Sequence, residues 1–75
     1  MPMAFVMINT VPDQIVPVLE RVKKIEFVKE AHMLNGKYDI IAVIKTETDK
    51  DFTRTLLSIR TVKDVSSVIF LQTIT

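Results

Sequence analysis

The chain has 75 residues, no cysteine, one glycine and one histidine, with ten basic side chains against nine acidic ones and a formal charge of +1. This excludes disulfide staples, leaves no thiolate and imidazole set for a structural zinc, and offers neither a polybasic arm for nucleic acid nor an acidic tail. So short a domain buries little of its surface; with disulfides and metal gone, oligomerisation is the remaining rescue, and the 48% hydrophobic content fits it.

The N-terminus lacks a charged segment followed by a long apolar core and a cleavage site. No apolar run approaches membrane-spanning length. The expectation is one soluble cytoplasmic domain over residues 1–75, with no membrane partner and no cofactor.

Residues 3–9, MAFVMIN, read as a strand. Ala4, Val6 and Ile8 share one face, Met3, Phe5 and Met7 the other, and both faces are apolar, as in a strand covered twice. In TVPDQIVPVLERVKKI, Ile15, Val18, Leu19, Val22 and Ile25 recur at helical spacing, which predicts a helix over 13–24. Thr10 and Asp13 are spaced as a capping box with Pro12 in the first turn. Pro17 has no N–H and would kink a helix already under way, so the helix either starts near Val16 or begins irregularly.

FVKEAHML, residues 27–34, predicts a second strand, with Phe27, Lys29, Ala31 and Met33 on one face and Val28, Glu30, His32 and Leu34 on the other. Asn35-Gly36 signals a hairpin, since both residue types tolerate positive φ. YDIIAVIKT, residues 38–46, is the third strand, apolar on both faces from Ile40 to Ile44 and so central. ETDKDFTRTLLSIRTV carries the second helix. Thr48 is its N-cap and Asp51 occupies N3, with Phe52, Leu56 and Ile59 in one stripe widened by Leu57. VSSVIFLQTI, residues 65–74, is the last strand, Val68, Phe70 and Gln72 alternating with Ile69, Leu71 and Thr73.

The order strand, helix, strand, strand, helix, strand makes two right-handed crossovers joined by a hairpin. This is the α+β, ferredoxin-like split βαβ arrangement: a four-stranded antiparallel sheet with two helices on one face. No element remains for the opposite sheet face, although the strands carry apolar residues on both. A second copy is the expected cover. Several hundred Å² of buried apolar surface at roughly 25 cal/mol per Å² is worth on the order of 10 kcal/mol before association costs.

Candidate chemistry is sparse, and no residue is read as catalytic. His32 is the lone imidazole, beside Glu30 and Leu34, and nothing in the spacing of Ser58, Ser66 or Ser67 makes a triad with it. Asp49 and Asp51 do not match a calcium loop, and helix capping accounts for them. The single glycine excludes Walker A and dinucleotide patterns. RNA-recognition motifs share this topology but stack bases on sheet aromatics. Here aliphatic residues fill those positions and the glycine-aromatic signature is absent, so no direct nucleic-acid contact is expected.

LNGKYDIIAVIK, residues 34–45, is the remaining point of interest. Much of it is a turn entering a strand, with Asp39 solubilising the edge. It also brings the Tyr38 hydroxyl and the Asp39 carboxylate to a turn whose glycine leaves backbone amides approachable. Amides can donate to a ligand carboxylate and Asp39 can pair with an ammonium. That kit suits an amino acid.

Through Gly36-x-Tyr38-Asp39, the apolar strand after it, the second helix and Val65 entering the last strand, the chain resembles the effector-binding (RAM) domain of the Lrp/AsnC family of transcription regulators. VKEAHMLNGKYDIIAVIKTE is especially similar to that family's central hairpin, and the resemblance covers essentially the whole chain. It implies a ferredoxin-like fold dimerising through its sheets, further assembly (commonly an octameric ring), and amino acids or related metabolites bound at contacts between dimers. Full-length members carry an N-terminal helix-turn-helix domain, for which this chain has no room. A stand-alone RAM protein is therefore expected.

The resemblance places Gly36, Tyr38 and Asp39 at motif positions that line or shape the effector pocket, with Asn35 and Lys37 adjacent. Asp64 stands where the family has glycine before the last strand's valine. Val68 and Phe70 replace frequent threonines, and Phe27 replaces a small or polar residue. Altered ligand choice is the expected consequence. Three functions then compete: an oligomeric ligand-binding module in transcription regulation; a ligand-free scaffold that co-assembles with full-length regulators of the family; and a small dimeric enzyme, for which His32, Tyr38 and Asp39 form no recognisable acid-base set.

Overall fold

A computed structural model describes residues 3–73. The elements are β1 (Met3–Thr10), α1 (Ile15–Lys23), β2 (Val28–Met33), β3 (Ile40–Lys45), α2 (Asp49–Arg60) and β4 (Val65–Thr73). The antiparallel sheet has the order β2-β3-β1-β4. This is the expected ferredoxin-like arrangement. Ile74, the last residue of the fourth strand expected from sequence, lies outside the described residues.

Strand alternation sorts the sheet into two surfaces. Ala4, Val6, Ile8 and Thr10 of β1 and Ile40, Ala42 and Ile44 of β3 are buried beneath the helices. Val18, Leu19 and Val22 of α1 lie over β2 and β3, while Phe52, Thr55 and Ile59 of α2 lie over β4 and β3. Phe70 of β4 meets Phe52 edge-on, with centroids 6.2 Å apart and planes at 73°. Such aromatic pairs contribute about 0.5–1.5 kcal/mol beyond their burial.

Among the described residues no element covers the other surface. Register aligns Glu30, Val43, Phe5 and Leu71 in one row across the sheet, and His32, Ile41, Met7 and Ile69 in the next. Ile69 and Leu71 are 47% and 61% exposed. Asn9 and Ser67, joined at 3.3 Å, close one end of this apolar field. Glu30 and His32, 3.1 Å apart and both exposed, close its β2 side. A continuous apolar patch with a polar rim is the usual make-up of an interaction surface.

Helix α1 is shorter than its sequence pattern. Asp13 sits at φ +73°, so the Thr10–Asp13 capping box does not form. Gln14 is the N-cap and makes no side-chain cap bond. Pro17 falls in the first turn, whose N–H groups have no partner within the helix, and the missing donor therefore causes no kink. Thr48 caps α2 as expected, its Oγ1 accepting from Asp51 N at 3.1 Å.

Both helix-to-strand connections use one device. Ile25 N–H donates to Val22 O, Val28 N–H to Ile25 O and Lys45 N–H to the carbonyl of Phe27. Val62 to Ile59, Val65 to Val62 and Val11 to the carbonyl of Asp64 repeat the pattern. Phe27 and Asp64 hold matching φ values of +74° and +72°. After each comes an irregular step in the ladder, between Val28 and Glu30 and opposite Asn9/Thr10. The first of these bulges turns Val28 onto the helix side with Ala31, not onto the side of Glu30 and His32 that simple alternation assigns.

The left-handed region penalises a Cβ by roughly 1–2 kcal/mol, less for aspartate. Asp64→Gly should therefore raise the free energy of unfolding by about 0.5–1 kcal/mol, read as a higher urea midpoint. An unchanged or lower midpoint would show that the Asp64 side chain offsets its own backbone cost.

Candidate functional site

The hairpin turn expected at Asn35-Gly36, between strands ending at Leu34 and starting at Tyr38, is a longer loop over residues 34–39, between β2 and β3. No glycine has positive φ, and neither does Asn35. The loop closes through Leu34 N–H donating to Asp39 O at 2.8 Å. β3 accordingly begins at Ile40 rather than Tyr38.

Asp39 is the loop's anchor. Its N–H donates to Ile8 O at 3.0 Å. Its Oδ2 accepts from Thr10 N at 2.9 Å and from Thr10 Oγ1 at 3.5 Å. The carboxylate thus joins the loop to the end of β1 and satisfies a partly buried backbone donor. It is neither a simple solubilising group nor a wholly uncommitted partner for an ammonium. Thr10 is thus not a helix cap but the last buried residue of β1, as its place after Ala4, Val6 and Ile8 on that strand's buried face indicates.

The other candidates project from this anchor. Asn35, Gly36 and Lys37 are exposed and Tyr38 is half-buried. The Lys37 ammonium lies 5.9 Å from the Tyr38 ring centroid. A Cβ built on Gly36 would meet nothing within 4 Å, so the space beside that backbone is open. Val11 N–H binds Asp64 O at 2.8 Å, and Val65 is the register partner of Thr10. The loop, the end of β1 and the start of β4 therefore meet at one end of the sheet.

Phe27 does not join them. It precedes Val28, at the other end of the β2–β3 ribbon from Met33 and Ile40, about 15 Å away at ordinary strand rise. Within one chain it does not line the motif loop. Val68 and Phe70 face the helices and, with Thr53, Leu56, Leu57 and Arg60, line an apolar groove of about 200 Å³ between α2 and β4. Arg60, Val65, Ser66, Ser67 and Val68 line a more polar hollow of about 350 Å³. Neither takes a wall from Asn35, Gly36, Lys37, Tyr38 or Asp39.

Among the described residues no three histidine or acidic side chains gather as a metal site, and no helix is long and apolar enough to cross a membrane.

The model of the family described as the Lrp/AsnC ligand binding domain matches residues 3–75. The crystal structure of FFRP-DM1 superposes with a TM-score of 0.92 at 28% identity, covering 99% of this chain and 100% of that one. A hypothetical protein of Pyrococcus horikoshii, PHS023, has the same TM-score and identity, covering 100% of this chain and 92% of that one. Escherichia coli AsnC shares the fold, with a TM-score of 0.89 at 18% identity; the match covers 99% of this chain but 51% of AsnC. Comparison with curated proteins finds no significant match.

Proposed function

Because the chain belongs to the Lrp/AsnC ligand-binding domain family, whose members are regulatory domains and not enzymes, we propose that it is an oligomeric module of transcription regulation. It pairs through the bare face of its sheet and takes an amino acid or related small metabolite where dimers meet. A homodimer is the basic unit, and a higher oligomer such as an octamer brings the motif loops together. Asn35, Gly36, Lys37, Tyr38 and Asp39 contribute to the ligand contact.

The observation that carries this reading is the apolar field of Phe5, Met7, Ile41, Val43, Ile69 and Leu71, left open inside a polar rim. The motif loop supports it. The loop projects from a firm anchor, and a second surface set against it would complete a pocket. Ligand then acts by mass action, favouring the assembly whose contacts it fills.

Native mass spectrometry and sedimentation velocity at micromolar protein, with each free amino acid titrated, test the proposal. The expected result is a dimer or larger species whose distribution shifts with at least one amino acid. A single-chain mass throughout, with no heat of binding, would refute it.

A second reading is favoured by Val68 and Phe70, which line the groove beside α2 with apolar groups. A ligand-free scaffold would use such a surface to co-assemble with full-length regulators of the family. Mixed masses on incubation with a full-length regulator would support it, and strictly separate species would oppose it.

A further inference from the structure

The one histidine of the chain, His32, sits on the open sheet face and not in the core. Its Nε2 lies 3.1 Å from Oε1 of Glu30, two positions back on the same strand, and both side chains are 63% exposed. No other side-chain ion pair occurs among the described residues. Ala31 between them is buried beneath the helices, so alternation holds both groups on the open face.

Their place in the sheet decides what the pair can do. Glu30 begins the row that runs through Val43, Phe5 and Leu71, and His32 begins the row through Ile41, Met7 and Ile69. Neither row holds another titratable group. The cross-strand neighbours on β3, Ile41 and Val43, are aliphatic, and among the described residues no helix packs on this face. Lys45, two positions beyond Val43, is the next charge that alternation puts there, at the end of β3. Any contact that covers the apolar field therefore also draws water away from Glu30 and His32.

With the imidazole neutral, such a contact desolvates a carboxylate that keeps its full charge. With the imidazole protonated, the two groups form a charge-assisted pair with no net charge, which costs less to cover. The sign is the same for either way two symmetric sheets can face one another. If β2 lies over β2 of the other copy, two unprotonated pairs bring two carboxylates together, and protonation relieves their repulsion. If β2 lies over β4 of the other copy, the carboxylate meets a strand with no charge of its own to stand in for His32. The extra charge on each whole chain acts over a longer distance and is screened by salt.

We infer that the Glu30–His32 pair is a pH-sensitive latch on the sheet-to-sheet contact: protonation of His32 strengthens the pairing of two copies. The inference rests on the proposed pairing through the open face and adds its regulation. Pairing takes up protons, so the gain is present in acid and is lost as the pH rises through the range in which histidines change charge, about pH 5–8.

The test is sedimentation velocity across a dilution series of the whole chain, at about pH 7.5 and about pH 5.5, for the natural sequence, His32→Gln and Glu30→Gln. Two latches act in each pair, and the natural sequence should show a dissociation constant roughly tenfold lower at the acid pH. His32→Gln should hold its dissociation constant within about twofold across the range. Glu30→Gln should pair more tightly than the natural sequence at the higher pH, where no lone carboxylate is covered. It should lose affinity on acidification, when a lone imidazolium is covered instead. Circular dichroism checks that both variants, at exposed positions, stay folded. A natural sequence whose dissociation constant is unmoved or rises in acid, or a His32→Gln variant that keeps the natural pH response, would overturn the latch and leave the pairing standing. A single-chain mass at both pH values would overturn the pairing reading and the latch with it.

Discussion

Leu71→Glu should give a folded single chain at protein concentrations where the natural sequence forms the proposed sheet-to-sheet pair. Leu71 lies in the row Glu30, Val43, Phe5 and Leu71 on the open sheet face and is 61% exposed in the isolated chain. A carboxylate there costs the monomer little. In a sheet-to-sheet pair the same carboxylate would be buried without a partner, and the burial of a leucine side chain would be lost. The expected effect is a dissociation constant raised at least ~100-fold, equivalent to about 3 kcal/mol. Ile69→Glu, in the neighbouring row, should act in the same direction. Sedimentation velocity across a dilution series reads the change, and circular dichroism checks that the fold survives. Unaltered association in both variants would place the interface elsewhere and remove the main support for the regulatory proposal.

Asp39→Ala should destabilise the domain, even though Asp39 belongs to a loop motif that sequence reading associates with ligand. Its Oδ2 is the acceptor for Thr10 N. Truncation leaves that partly buried donor unsatisfied, which costs about 1–3 kcal/mol. For a domain of this size that is a fall in melting temperature of roughly 10 °C, measured at matched protein concentration so that the proposed association weighs equally on both midpoints. Asp39→Asn keeps an acceptor oxygen and should cost less than ~1 kcal/mol. The pair of variants separates two roles of one carboxylate. If Asp39→Asn leaves the protein stable but no longer responsive to amino acid, the charge is assigned to the ligand. Retained stability in Asp39→Ala would instead show that the Thr10 clasp is dispensable.

Period-two and period-3.6 patterns were strong enough to place all six elements, because both sheet surfaces and both helix stripes are built from aliphatic residues in register. The open apolar face was legible for the same reason: Phe5, Met7, Ile41, Val43, Ile69 and Leu71 follow from alternation once the strand order is known. What alternation misses is insertion. The irregular step after Val28 moves that residue to the other face, and nothing in FVKEAHML marks it. Positive φ was expected at Asn35-Gly36 and occurs at Asp13, Phe27 and Asp64. Local propensity favours asparagine and glycine there, whereas the tertiary need to pass from a helix end into a strand imposes the conformation on phenylalanine and aspartate. At the candidate site the motif residues were readable as a group. The partner that fixes them was not, since Thr10 and Asp39 are 29 positions apart and meet only through the β1–β3 pairing.

The strand order β2-β3-β1-β4 leaves two lateral borders, and they are protected unequally. β2 presents Lys29, Glu30 and His32, a charged fringe of the kind that discourages unwanted lateral strand addition. β4 presents Val68, Ile69, Phe70 and Leu71 with no charge among them, on a border strand of nine residues. A chain that opens at this border exposes a short uncharged segment of high β-propensity, the sequence type that seeds fibrillar aggregation. The proposed pairing would thereby also shield the chain from self-templated misfolding, and a single glutamate at position 71 would supply the missing gatekeeper charge while giving up that cohesion.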